Sequence, residues 1–185
     1  MSVRAFVGAT VLLLSLSTAS CPARPPEPRL PAAPIAPLPR PPAEHGPPLE
    51  FVLDPVDRAF EHRAESEALR GHRAVVLLLA TYDVGSLMAL RTLAPLLGDL
   101  PKDAACLQVA MQPLGDRELI GAFFDAEKTP CRRAIGDPKR GRLGDLGSVK
   151  VIPAVIVLRA DGTVAGSLSG SFGVEDVRAL LERAR

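Results

Sequence analysis

Twelve of the chain's nineteen prolines fall between Pro22 and Pro48, and this separates residues that can build a core from residues that cannot. Each proline fixes its own φ and removes a backbone donor. The same stretch has only Leu30, Ile35 and Leu38 as apolar residues larger than Val. So little burial cannot offset the entropy of ordering, so the segment is expected to be a disordered spacer. In polyproline II form, at ~3.1 Å per residue, it would reach on the order of 80 Å. Its PxxP patterns are no more than any proline-rich segment shows. A folded domain is therefore expected over residues 50–185, with the spacer over 21–49. The 22 Lys and Arg nearly balance 21 Asp and Glu, which gives no electrostatic case for nucleic acid or an anionic membrane surface. With 47% hydrophobic but only 4% aromatic residues, any core must be aliphatic. His45, His62 and His72 are scattered and the three cysteines are few, so neither a metal site nor a disulfide scaffold is expected.

Residues 1–20 read as an export signal. Arg4 supplies the positive start, and Phe6 to Leu16 is an apolar run too short to remain as a spanning helix. The run ends at Ser17-Thr18-Ala19-Ser20-Cys21. Ala19, Ser20 and Cys21 resemble the lipobox of bacterial lipoproteins, although Thr18 stands where that motif usually has Leu. The resemblance implies lipidation of Cys21, the only means by which this neutral chain would be held to a membrane. Cleavage near Ala19 or Ala23, releasing a soluble protein, is the alternative.

Within the domain, Asp54-Pro55-Val56-Asp57 carries helix-start signals, with Asp as N-cap and Pro at the first helical position. A helix is expected from there to about Leu69, stopped by Gly71. Ala74 to Ala80 is a continuous apolar run, as in a strand covered on both faces. A helix over about Asp83–Leu97 follows, with Pro95 expected to kink or shorten it. Ala104–Met111 reads as a second buried strand. Residues 115–127 read as a helix opened by Asp116 and carrying Leu119, Ile120, Phe123 and Phe124. Cys131–Ile135 reads as a short edge strand. Val151–Leu158, interrupted by Pro153, is a third buried run. Asp161-Gly162 signals a hairpin turn into a strand over Thr163–Leu168. A final helix over about Val174–Ala184 has acids at its start and Arg183 at its end, in keeping with the helix dipole. The order predicts an α/β fold, a mixed sheet with helices on both faces.

The segment Val149 to Leu158 with Pro153 inside it, followed by Asp161-Gly162-Thr163-Val164, Gly166 and Gly170, resembles the thioredoxin-like superfamily. The likeness is greatest to its TlpA-like, redoxin-type proteins of the bacterial envelope, and it extends over Phe51–Arg185. It implies a three-layer α/β sandwich and a cis Ile152–Pro153 bond; on the residues alone, Pro153 also fits an edge or bulge. The family's redox site is a Cys-x-x-Cys at the start of the helix after the first buried strand, where the helix N-terminus lowers a thiol's pKa. Here the corresponding positions are Asp83 and Ser86 in one register, Leu87 and Leu90 in another. No cysteine lies between Cys21 and Cys106, so neither register restores the motif. Asp83 or Ser86 acting as a nucleophile lacks a neighbouring His. The resemblance also places the segments of Cys106 and Cys131 side by side, which implies a disulfide; two separate buried thiols is the other reading. The basic run Lys139-Arg140-Gly141-Arg142, with Arg132 and Arg133, reads as a solvated loop, with an acidic partner as the alternative. The function expected is a lipid-anchored, redox-inactive binding or assembly module of the bacterial envelope. It would have no cofactor, no metal, no nucleic acid and an unnamed envelope protein as partner. A thiol–disulfide oxidoreductase using Cys106 and Cys131 is the alternative, and a small-molecule carrier with a groove beside Pro153 is a third.

Overall fold

Every residue of β3, Arg73–Leu79, is buried, and the rest of the domain is arranged around it. In this computed structural model the described residues are 46–57, 63–140 and 142–185; the signal, lipidation and most of the spacer expectations lie outside them. The sheet has seven strands in the order β2-β1-β5-β4-β3-β6-β7. Its members are β1 (Val52–Pro55), β2 (Ala64–Glu65), β3, β4 (Ala104–Ala110), β5 (Arg132–Ile135), β6 (Ala154–Leu158) and β7 (Val164–Ser169). The α-helices are α1 (Val84–Gly98), α2 (Arg117–Glu127) and α3 (Val174–Arg183). Strands β3, β4 and β5 run parallel, and β6 and β7 return antiparallel.

Alternation along β3 sets the two layers. Val75, Leu77 and Leu79 pack with Leu90, Leu93 and Leu97 of α1, Ile120 and Phe124 of α2, and Val177, Leu180 and Leu181 of α3. Ala74, Val76 and Leu78 face the other way, onto Phe51, Leu53, Leu69 and Leu146. Strand side chains alternate between faces, so an all-apolar strand demands cover on both. The crossovers β3–α1–β4 and β4–α2–β5 step across the sheet in the same direction. Right-handed connections then put both helices on one face. The opposite face is covered by the N-terminal arm and by the 3-10 turns Ser66–Leu69 and Gly144–Ser148. This is the α/β sandwich of the thioredoxin-like fold.

Several local expectations are corrected. No helix starts at Asp54: Asp54 and Pro55 pair with Ile135 and Ala134 in an antiparallel ladder, Ala64–Glu65 pairs back onto β1, and a 3-10 turn ends at Leu69. Cap signals are worth about 1 kcal/mol, less than the burial of Phe51 and Leu53 that strand pairing secures. For the same reason β5 is not an edge strand, since β1 and β2 lie beyond it. Pro95 does not stop α1, which continues to Gly98. It removes one hydrogen bond near the end of a helix whose inner face is already packed. Asp116 stands before α2 but makes no side-chain cap bond. Instead, the Leu114 backbone N–H of the preceding 3-10 turn donates to Asp137 Oδ2 at 2.9 Å. On α2, Ile120 and Phe124 are buried and Leu119 is exposed. The Asp161-Gly162 turn forms as expected, with Gly162 at φ +86° and Thr163 N–H donating to Asp161 Oδ1.

Candidate functional site

Strand β3 ends at Leu79, and the chain turns into α1 through Thr81, Tyr82 and Asp83. Asp83 is the N-cap in extended conformation. Its Oδ2 accepts from both the Ser86 backbone N–H and the Ser86 hydroxyl, each at 2.7 Å. The Ser86 Oγ in turn accepts from the Ala80 N–H at 3.1 Å, and Ser86 is fully buried. One serine therefore ties the strand end to the helix start. The Ser86 hydroxyl, then the Ser86 backbone N–H, hold the Asp83 carboxyl below its ordinary value of 3.8, against a small opposing effect of burial.

Facing this turn is the loop before β6. The Ile152–Pro153 peptide is cis, and the Pro153 carbonyl accepts from Gly170 N–H at 2.8 Å. A Cβ built on Gly85 would lie 3.5 Å from Pro153 Cδ. The segment against the proline is thus Asp83–Ser86. Leu87 lies inside the first turn of α1, and Leu90 is fully buried in the core. Where the resemblance places a pair of thiols, this chain has a capping carboxylate and a buried hydroxyl. Among the described residues the one histidine, His72, precedes β3 at the opposite end of that strand, away from Ser86.

Near this turn several apolar side chains are exposed. Tyr82, Val84, Met88 and Val151 are each more than half exposed. Val84 and Met88 share a face of α1 by their i, i+4 spacing, and Val151 precedes the cis-proline by two residues.

The two remaining cysteines meet elsewhere. Cys106 on β4 and Cys131, just before β5, are joined in a disulfide with Cα atoms 4.8 Å apart. Register explains this: Leu107 is opposite Arg132, so the preceding residues are opposite as well. Cys131 is buried and Cys106 half-buried, on the helix-covered side of the sheet. Cys131 also lines an open cleft of about 630 Å³ with Pro55, Pro130, Asp125 and Arg133. Gln108, fully buried two residues after Cys106, accepts from the Thr129 hydroxyl at 2.8 Å through its Oε1, while its Nε2 has no partner among the described residues. Sequence reasoning missed this pair. The signal was a glutamine inside the apolar run Leu107–Val109, but its partner lies across a helix.

The basic residues do not form one patch. Arg133 pairs with Asp125 and Arg140 with Asp54, while Arg142 lines a different cleft with Glu50, Glu65 and Glu67; Gly141 is outside the described residues. Among the described residues, no three His, Cys, Asp or Glu side chains converge as a metal would require, and no helix is long and apolar enough to cross a membrane.

No protein-family model and no curated protein sequence matches this chain. Solved structures do. A thiol-disulfide isomerase from Corynebacterium glutamicum superposes with a TM-score of 0.61 at 17% identity, over 74% of this chain and 94% of that one. A DsbF homologue from Corynebacterium diphtheriae gives 0.62 at 12% identity, over 75% and 87%. An exposed lipoprotein thioredoxin from Streptococcus pneumoniae gives 0.58 at 15% identity, over 72% and 98%. At these identities the likeness shows the fold alone: the domain has a thioredoxin-like fold.

Proposed function

We propose that the chain is a lipid-anchored, thioredoxin-like binding module of a bacterial envelope. Residues 1–20 would direct export, Cys21 would carry the lipid, 21–49 would space the domain from the membrane, and 50–185 would do the binding. The observation that carries the binding role is the exposed apolar group Tyr82, Val84, Met88 and Val151 around a helix start that has no thiol. Clustered exposed apolar side chains mark contact surfaces, whereas single ones are ordinary. The partner is an envelope protein presenting an apolar segment. The test places a photo-cross-linking residue at Val84, at Met88, and at the equally exposed Leu119 of α2 in cells. Adducts to an envelope protein are expected at the first two and not at the third. No adduct at Val84 or Met88 overturns the reading. The anchor is tested separately: Cys21→Ala should move the protein from the membrane to the soluble fraction, and a wild type that is already soluble rules out lipidation.

A second reading is a thiol–disulfide oxidoreductase that uses Cys106 and Cys131. It is favoured by the disulfide itself and by the cleft that Cys131 lines; the similar isomerase structure is compatible with it. Native-state reduction of this bond by a dithiol tests this second reading, which leaves the contact surface at the start of α1 untouched.

A further inference from the structure

Among the described residues, Gln108 and Gln112 each leave a buried amide nitrogen without a partner, and Gln108 lies beside the disulfide. Gln108 is fully buried between Leu107 and Val109, and its Nε2 donates to nothing. A buried donor without a partner costs on the order of 1–3 kcal/mol, so a nearby acceptor would be favoured. Residues two apart on a strand share a face, so Gln108 projects on the same face of β4 as Cys106. Its Oε1 is held by Thr129, which precedes Cys131 by two residues on the neighbouring chain segment. The anchored amide oxygen fixes the amide plane and leaves the NH₂ group to whatever forms next to it. A disulfide sulfur is a poor acceptor, while a thiolate is a strong one.

We infer that Cys106–Cys131 is an exchangeable pair, entered through the cleft at Cys131, and that Gln108 Nε2 stabilises the thiolate released at Cys106. This rests on the second reading above and not on the binding surface. The co-reactant is a dithiol. One thiolate of the dithiol attacks Cys131 Sγ, the new S–S bond forms, and the Cys106–Cys131 bond breaks with its electron pair leaving on Cys106. The second thiol of the dithiol loses its proton and displaces Cys131, leaving an oxidised dithiol and two reduced cysteines. Two electrons enter this chain, and its two thiolates take up protons according to their pKa values. Cys131, although only 7% exposed, is the attacked sulfur because the cleft reaches it, and Cys106 the leaving one because Gln108 shares its strand face. Arg133, two residues beyond Cys131, is a weaker candidate for the stabilising group because Asp125 already neutralises it.

The experiment uses the purified full chain in three arms. First, it is equilibrated without denaturant against a dithiothreitol series, quenched, and its free thiols counted by alkylation mass. Complete reduction with an unchanged far-ultraviolet spectrum is expected. A bond reduced only on unfolding overturns both this inference and the second reading. Second, the pH profile of iodoacetamide alkylation of the reduced protein is compared with that of Gln108→Leu. The midpoint for Cys106 should move up by about one pH unit, with alkylation about tenfold slower at neutral pH, since one unit of pKa is a factor of ten. An unmoved midpoint alongside native reduction overturns the role of Gln108 and leaves the exchange reading standing. A purely structural loss would instead speed alkylation at every pH. Third, in the wild type, which needs no folded variant, the Gln108 side-chain amide resonances should shift with the Cys106 titration. Stationary resonances overturn the inference.

Discussion

Asp83 and Ser86 show how residue type decides what a helix start can do. A thiol in this position would be made a thiolate by the helix N-terminus. A carboxylate there is instead consumed as the cap, since its Oδ2 is occupied by two donors from Ser86. Its folded pKa is depressed, so the stability it contributes is present above the unfolded value of 3.8 and is lost as pH falls through the folded value. Asp83→Ala should therefore cost about 1 kcal/mol at neutral pH, as N-cap losses do. The difference from wild type should shrink only in acid, below the ordinary aspartate range. Paired urea titrations across pH 7 to pH 2.5, roughly spanning that window, check this. A gap that persists at the acid end would mean that the charge is not what caps α1.

Among the elements, the loop that closes the second face depends on one backbone conformation. Gly144 opens the 3-10 turn Gly144–Ser148 at φ +53°, and a Cβ there would overlap the Glu50 carbonyl oxygen. That oxygen accepts from Asp145 N–H at 3.0 Å, and Asp145 Oδ2 accepts from Glu50 N–H at 2.9 Å. The turn and the N-terminal arm therefore dock through a reciprocal pair of bonds that leaves no room for a side chain. Gly144→Ala combines positive-φ strain with a backbone clash and should lower stability by about 3 kcal/mol, at the upper end of single substitutions. The urea midpoint measures it, and a neutral result would show that the arm docks otherwise. At this scale α1 could be read from its sequence, and the strand pairing of Asp54 and Pro55 could not. Leu90, Leu93 and Leu97 recur at helical spacing, whereas Asp54-Pro55 carries helix-start signals that pairing with Ile135 and Ala134 overrides.

At the scale of the whole molecule, the disulfide fastens the outer strands to the core. It crosses between β4 and the start of β5, and β1 and β2 hang on β5. It closes a loop of 25 residues, which in the chain-entropy account contributes roughly 3–4 kcal/mol. Cys106→Ala with Cys131→Ala should lower the unfolding free energy by about that much, as urea denaturation would record. Cross-linking at Val84 should survive in the same variant, because the proposed contact surface lies at the start of α1 and by the cis-proline. Loss of those adducts in a variant that remains folded would tie the binding surface to the disulfide.

What the sequence by itself determined is what local chemistry can encode: the buried run of β3, the Asp161-Gly162 turn, the spacing of α1 and α3, and the lack of any cysteine at the start of α1. Tertiary structure decided the rest. It made Asp54 a strand residue and gave β5 neighbours on both sides. It supplied Asp137 to the Leu114 N–H in place of a local cap, and it put Gln108 against Thr129 beside two joined sulfurs. The division has a physical cause. Periodicity, caps and turns act between residues a few positions apart, whereas strand neighbours, disulfide partners and the mates of buried polar groups come from distant parts of the chain, and packing alone selects among them.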